Sequence, residues 1–152
     1  MFKAIVACLL GMTCAAAQAV TNCHHVGGTV STNFLDSNTT FGTATGDLAG
    51  AIGVSVMGLV QNNDGSVTFQ NQHHWVTSTG DTINAEPANA VGYFSGVTGL
   101  YAAIYPKGVT IAGGTGKFEG ANGTLSSWGA VNQATGEVVL RYEGMVCYAN
   151  GK

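Results

Sequence analysis

The chain has 152 residues and a formal net charge of −3 at pH 7, with charged side chains at only 9% and glycine at 23 positions. With hydrophobic residues at 45%, this composition excludes a disordered chain, which combines low apolar content with high net charge. The cations beyond the N-terminus (Lys107, Lys117, Arg141 and Lys152) are scattered, so an electrostatic nucleic-acid surface is excluded too.

Met1-Phe2-Lys3 precedes an apolar run from Ala4 to Met12 and an Ala17-Gln18-Ala19 site. One positive charge, a short apolar core and an Ala-x-Ala site predict a signal peptide over 1–19, cleaved after Ala19. The run is too short for a spanning helix, although a retained anchor is the alternative. Gly11-Met12-Thr13 before Cys14 fits a lipoprotein box poorly. Residues 20–152 are expected to form one domain with its own core, and no second apolar span follows. The expected location is secreted or periplasmic, with no membrane span after cleavage.

Of four cysteines, Cys8 and Cys14 fall in the signal segment, leaving Cys23 and Cys147. In an exported protein this pair is expected to form a disulfide, two free thiols being the alternative. It would bring the first and last strands side by side, as a closed barrel does.

No segment of useful length keeps the i, i+3, i+4 period of a helix. His24–Phe34 alternates and reads as a first strand, and Asn38–Thr45 as a short strand or loop. Asp47–Gln61 places Leu48, Ile52, Val54, Val56 and Val60 on one face of a long strand. Asn62-Asn63-Asp64-Gly65 is a hairpin signal, because Asp and Gly tolerate the positive φ of a type I′ turn. The returning strand, Ser66–Ser78, carries Val67, Phe69, Asn71, His73 and Trp75 on one face. Thr82–Glu86 starts another strand that Pro87 stops. Ala88–Thr98 reads as strand or loop, and Gly99–Tyr105 as a strand ended by Pro106. After a glycine-rich stretch come Thr124–Asn132 and Glu137–Cys147, the latter with Val138, Leu140, Tyr142 and Val146 on one face and Cys147 on the other. About eight strands at this spacing suit a meander sandwich or barrel.

The glycine stretch Gly113-Gly114-Thr115-Gly116-Lys117-Phe118-Glu119-Gly120 invites a nucleotide-binding reading. Its third glycine comes one place late for a dinucleotide fingerprint, and Ile111 and Phe118 stand where a P-loop needs Gly and Ser or Thr. It reads instead as a barrel corner, its glycines supplying bends and Phe118 a plug.

The pattern Gly-Gly-Thr-Gly-Lys-Phe-x-Gly-Ala-x-Gly from Gly113 to Gly123, followed by two strands, resembles the allene oxide cyclase barrel-like superfamily, which includes the dirigent proteins. Gly42–Leu48, Gln72–Val76 and Gly136–Tyr142 look like its small exported bacterial members. The resemblance spans most of residues 20–152. It implies an all-β fold, a single closed eight-stranded antiparallel β-barrel, with Cys23 and Cys147 clasping the seam. Characterised relatives cyclise a fatty-acid epoxide or steer phenoxy-radical coupling. Their catalytic acids find no counterparts here, so no catalytic role is carried over.

His24-His25 and His73-His74 are strand neighbours pointing to opposite faces, so neither pair chelates a metal from one side; no metal or cofactor is expected. If the His73 face lines the barrel, His73 is a candidate acid or base, against a core histidine satisfied by Asn71 or a backbone carbonyl. Glu86 is a second candidate if it reaches a barrel mouth, against a solvated carboxylate. Asn71, Trp75, Tyr101 and Tyr142 are expected to line a ligand cavity. No Gly-x-Ser-x-Gly elbow is present. Asn38-Thr39-Thr40 and Asn122-Gly123-Thr124 are glycosylation sequons with meaning only in a eukaryotic secretory route.

The expected function is an exported barrel that binds a small, largely apolar molecule and, by resemblance, assists its isomerisation or cyclisation. The alternative is a non-catalytic barrel acting through its outer face or loops on a partner or the cell envelope. Self-association is compatible with either.

Overall fold

The computed structural model describes residues 22–149; the proposed signal peptide and Lys152 lie outside the described residues. Ten strands follow one another: β1 (Asn22–Phe34), β2 (Thr39–Ala44), β3 (Gly50–Gln61), β4 (Val67–Thr77), β5 (Thr82–Ala85), β6 (Ala88–Phe94), β7 (Leu100–Ile104), β8 (Val109–Gly114), β9 (Asn122–Asn132) and β10 (Glu137–Tyr148). Every pairing is antiparallel.

These ten segments occupy eight positions round a closed barrel. β5 and β6 both pair with β4, and β7 and β8 both pair with β9. β6 also pairs with β7, and β5 with β8. Each couple is therefore one long strand with a break, and the chain's two prolines stand in the breaks, Pro87 in one and Pro106 in the other. Proline has no N–H for the ladder, so it interrupts pairing where it falls. β10 closes the ring by pairing with both β9 and β1. Cys23 stands directly opposite Cys147 in that seam, and the two are joined by a disulfide. Among the described residues no helix is long and apolar enough to cross a membrane.

The two ends of the barrel differ. One end carries the disulfide, the β2–β3 and β4–β5 turns and the glycine corner between β8 and β9. It is packed shut: Leu48, Phe118 and Val146 are each 0% exposed. Phe118 sits on a 3-10 turn, Gly116–Phe118, with its ring 5.5 Å from that of Tyr148 and Lys117 Nζ over its outer side. The corner is thus a plug, as the glycine pattern predicts. The stretch also contributes β8, a strand that its glycine content conceals.

Two inward side chains fasten this floor to the walls. The Leu48 N–H donates to the Tyr142 hydroxyl at 3.0 Å, and Trp75 Nε1 donates to the Leu48 carbonyl at 2.9 Å. Tyr142 Oη in turn donates to the Thr45 carbonyl at 2.8 Å. The Trp75 and Tyr142 rings meet edge to face at 5.5 Å, an arrangement their quadrupoles favour.

Two expectations are corrected. The β3 alternation places Val60 on the inner face, yet the register with β4 shifts between Val56 and Gly58. One extra residue reverses the parity of all that follows. Leu59 therefore stands opposite Phe69, and Val60 is 60% exposed. The β3–β4 hairpin is not a two-residue type I′ turn either. Gln61 pairs with Val67 around a five-residue loop, closed by the Gly65 N–H donating to the Asn62 carbonyl, with Gly65 at φ +84°. Ala88–Thr98, open between strand and loop, resolves into strand β6 over its first seven residues.

Candidate functional site

The other end of the barrel is hollow. A cavity of about 540 Å³ runs from its mouth down to Trp75 and Tyr142. Its volume follows from the sequence on one sector of the wall, where β6 and β7 line it with Ala90, Gly92 and Ala103 and one large side chain, Tyr101. Small side chains there leave space that the larger residues of β3 and β4 do not fill. Phe34, Met57, Leu59 and Tyr101 ring the upper part.

Most of the lining is apolar, and no Asp, Glu, Lys or Arg is part of it. Deep in the wall three polar side chains meet. Asn71 and His73 are two residues apart on β4 and so point the same way. Tyr105, just past β7, reaches both: Asn71 Nδ2 donates to its hydroxyl at 2.9 Å, and His73 Nε2 lies 3.0 Å from the same oxygen. All three are buried.

Burial lowers the His73 pKa to about 4, with a smaller push from neighbouring His74, so the imidazole is neutral. Burial likewise raises the Tyr105 pKa to about 12, opposed in part by the hydrogen bond from Asn71. With the Asn71 amide donating into the Tyr105 oxygen, the phenol and His73 Nε2 share one further hydrogen bond, in which the imidazole tautomer decides the donor. Asn71 Oδ1 and His73 Nδ1 are buried and have no protein partner. The first is an acceptor, and the second donates or accepts according to the tautomer.

The structure brings Asn71, His73, Trp75, Tyr101 and Tyr142 together round one cavity. It does not bring Glu86 there. That residue is exposed in the break between β5 and β6, its backbone N–H donating to the Thr110 carbonyl, and it is not among the lining residues. Sequence reasoning missed Tyr105 as the partner of His73. The signal was its parity with Tyr101 on the same strand, since Tyr101, Ala103 and Tyr105 all line the cavity. His74 points outward and is exposed. Among the described residues no three His, Cys, Asp or Glu side chains gather to hold a metal.

Chemically, the cluster suits holding a polar group more than moving a proton. An imidazole with a pKa near 4 is a weak base at neutral pH, and a phenol near 12 is a weak acid.

No protein-family model matches the sequence, and no curated protein matches it. Among solved structures the chain is similar to that of the pterocarpan synthase dirigent protein GePTS1, at 13% identity over 90% of this chain and 91% of that one, with a TM-score of 0.35. At that score the likeness is loose, and the closed barrel is established by the strand pairing itself. An eight-position antiparallel barrel is also the fold implied by the resemblance to the allene oxide cyclase barrel-like superfamily.

Proposed function

We propose that this protein is exported and binds a small, largely apolar molecule in the barrel interior, which enters at the end opposite the disulfide. The observation that carries this reading is the cavity of about 540 Å³ with an uncharged lining and a polar cluster at depth. Ligand sites have this character: about 300–1,000 Å³, mostly apolar, with a few placed polar groups. The Cys23–Cys147 disulfide supports an oxidising compartment, and with it the signal-peptide reading of residues 1–19.

Within this proposal Trp75, Tyr101 and Tyr142 wall the ligand, while Asn71 and His73 engage its polar part. Any isomerisation or cyclisation would rest on holding a reactive conformer, with His73 as a hydrogen-bonding group. Glu86 takes no part. The test is native mass spectrometry of protein purified from its export compartment, beside an Ala103→Trp variant that fills the cavity. A retained small molecule in the parent and none in the variant is expected. Parent protein that arrives empty and takes up no apolar compound sinks the reading.

A second reading has one observation in its favour. Ile104 and Trp128 pair across β7 and β9 with their side chains outward, and Val139 lies on the same outer face of β10; all three are exposed. Such a stripe supports action through the outer surface on a partner. Trp128→Ser would then abolish the activity or contact while leaving the cavity intact.

A further inference from the structure

We infer that the outer face of β6, β7, β9 and β10 is a self-association surface, on which a second copy of this chain docks about a two-fold axis. It rests on the outer-surface reading, whose partner it names, and holds whatever the cavity contains. Shape and charge carry it.

Register sets the shape. Arg141 stands opposite Trp128, Trp128 opposite Ile104, and Ile104 opposite Val91. These four make one row across the strands. The same pairings set Val139, Ala130, Ala102 and Tyr93 in a second row. Residues two apart on a strand share a face, so the rows lie about 7 Å apart on one surface. Their chain neighbours Gly92, Ala103, Ser127 and Leu140 line the cavity, which makes this surface the outer one. Trp128 is 37% exposed, Ile104 42%, Tyr93 44% and Val139 50%. Apolar residues scattered singly over a surface are ordinary, whereas a patch continuous over four strands marks an interaction site. Its relief is uneven. The middle of the first row is bulky, with Trp128 and Ile104, and the middle of the second is small, with Ala130 and Ala102.

A two-fold contact presents the same patch from both sides. With the axis running between the two rows and along them, each copy's first row meets the other's second row. Trp128 and Ile104 of each copy then fill the hollow over Ala130 and Ala102 of the other.

Charge obeys the same symmetry. The outward residues of β10 run Glu137, Val139, Arg141 and Glu143. Arg141 is the one charged residue in the two rows, at their β10 edge. Where Arg141 of one copy lies over Val139 of the other, Glu137 of that other copy is one row away. The long guanidinium stem spans that step, so the contact closes with an Arg141–Glu137 pair at each of two places on its rim. Apolar centre, aromatic and arginine anchors and polar rim are the usual anatomy of an interface. An anionic lipid surface fits less well, because Glu137 and Glu143 outnumber the single guanidinium there.

The experiment is sedimentation velocity of the intact, oxidised protein over a concentration series at near-neutral pH. The parent should pass from monomer to dimer as concentration rises. Trp128→Ser should raise the dissociation constant at least about 30-fold, the loss of one central anchor. Ala130→Glu closes the hollow and sets a carboxylate under Trp128 of the other copy, and should raise it as far. Arg141→Glu should weaken the dimer about tenfold, and Arg141→Glu/Glu137→Arg should recover most of that loss. All these positions face outward, so melting curves should stay close to the parent's. A parent that is monomeric throughout, or trimeric, overturns the inference. So does a dimer indifferent to Ala130→Glu and not rescued by the charge swap. A monomer that co-sediments with phosphatidylcholine vesicles through Trp128 gives the face to lipid and overturns it too. A monomeric parent leaves the outer-surface reading to an unlike partner, and ligand uptake, measured separately, is unaffected by any of these outcomes.

Discussion

The Tyr105 hydroxyl lies 3.0 Å from His73 Nε2, in the wall of the barrel, with the two rings 5.4 Å apart. Because the phenol already receives the Asn71 amide hydrogen, a protonated His73 would leave two donors facing one oxygen and the phenol proton without an acceptor. Burial and geometry therefore agree in keeping the imidazole neutral.

A pH dependence follows. The His73 pKa is 6.5 unperturbed and about 4 in the fold, so the unfolded chain takes up its proton first as pH falls. This group costs nothing above the unfolded value. Between pH 6.5 and 4 it destabilises the protein progressively, by about 3 kcal/mol at the lower limit. Denaturant titrations across that window should show a steeper loss of stability for the parent than for His73→Phe. Equal slopes would mean that His73 is protonated in the native barrel.

Tyr142→Phe removes the hydroxyl that accepts from the Leu48 N–H and donates to the Thr45 carbonyl. The buried Leu48 N–H loses its partner, which costs about 1–3 kcal/mol. The same change should alter Trp75 fluorescence, since Trp75 holds the other side of Leu48. Urea denaturation and the emission spectrum read the two effects separately.

Reduction of the disulfide opens a crosslink spanning 124 residues of sequence. On the chain-entropy account this costs about 4–5 kcal/mol. Melting temperatures with and without reductant, and in Cys23→Ser/Cys147→Ser, should fall together. The seam itself should persist, because β1 and β10 remain paired from Asn22 to Asn33.

The glycines of the corner should be unequal in their tolerance. A Cβ on Gly114 would run into the Thr82 carbonyl oxygen and approach Phe118 Cβ at 2.9 Å, so Gly114→Ala should destabilise by more than about 2 kcal/mol. Gly65, at φ +84°, has open space round its Cβ position. Gly65→Ala should cost only the strain of the left-handed backbone, about 1–2 kcal/mol. Chemical denaturation of both variants checks the ranking.

Much of this was readable from residues alone. The period-two faces of β4 and β10 gave the inward positions of Asn71, His73, Trp75 and Tyr142, because alternation has only two phases and the apolar side chains choose one. The disulfide followed from two cysteines placed near the two ends of an expected export product. What was hidden depended on register or on distant partners. The extra residue near Met57 reverses Val60; Gly58 reads from the sequence as a bend in this strand, but a bend does not by itself say that a residue is inserted. Glu86 sits beside a proline break, and which way a break turns is decided by β8, whose Thr110 carbonyl takes its N–H. The hollow was hidden too. Ala90, Gly92 and Ala103 are unremarkable one by one, and only the closed ring sets them side by side.

The two proline breaks have an architectural consequence. Pro87 and Pro106 bracket a segment, β6 and β7 with their turn, whose ladder partners are the upper half of β4 and the far end of β9. The floor draws on β5 and β8 instead. Residues 88–104 form a segment that shapes the mouth, while the plugged base takes its strand pairing from β5 and β8. Exchanging that segment, with its inward Ala90, Gly92, Tyr101 and Ala103, would change what the barrel admits while the Phe118 corner and the disulfide seam keep their own pairings.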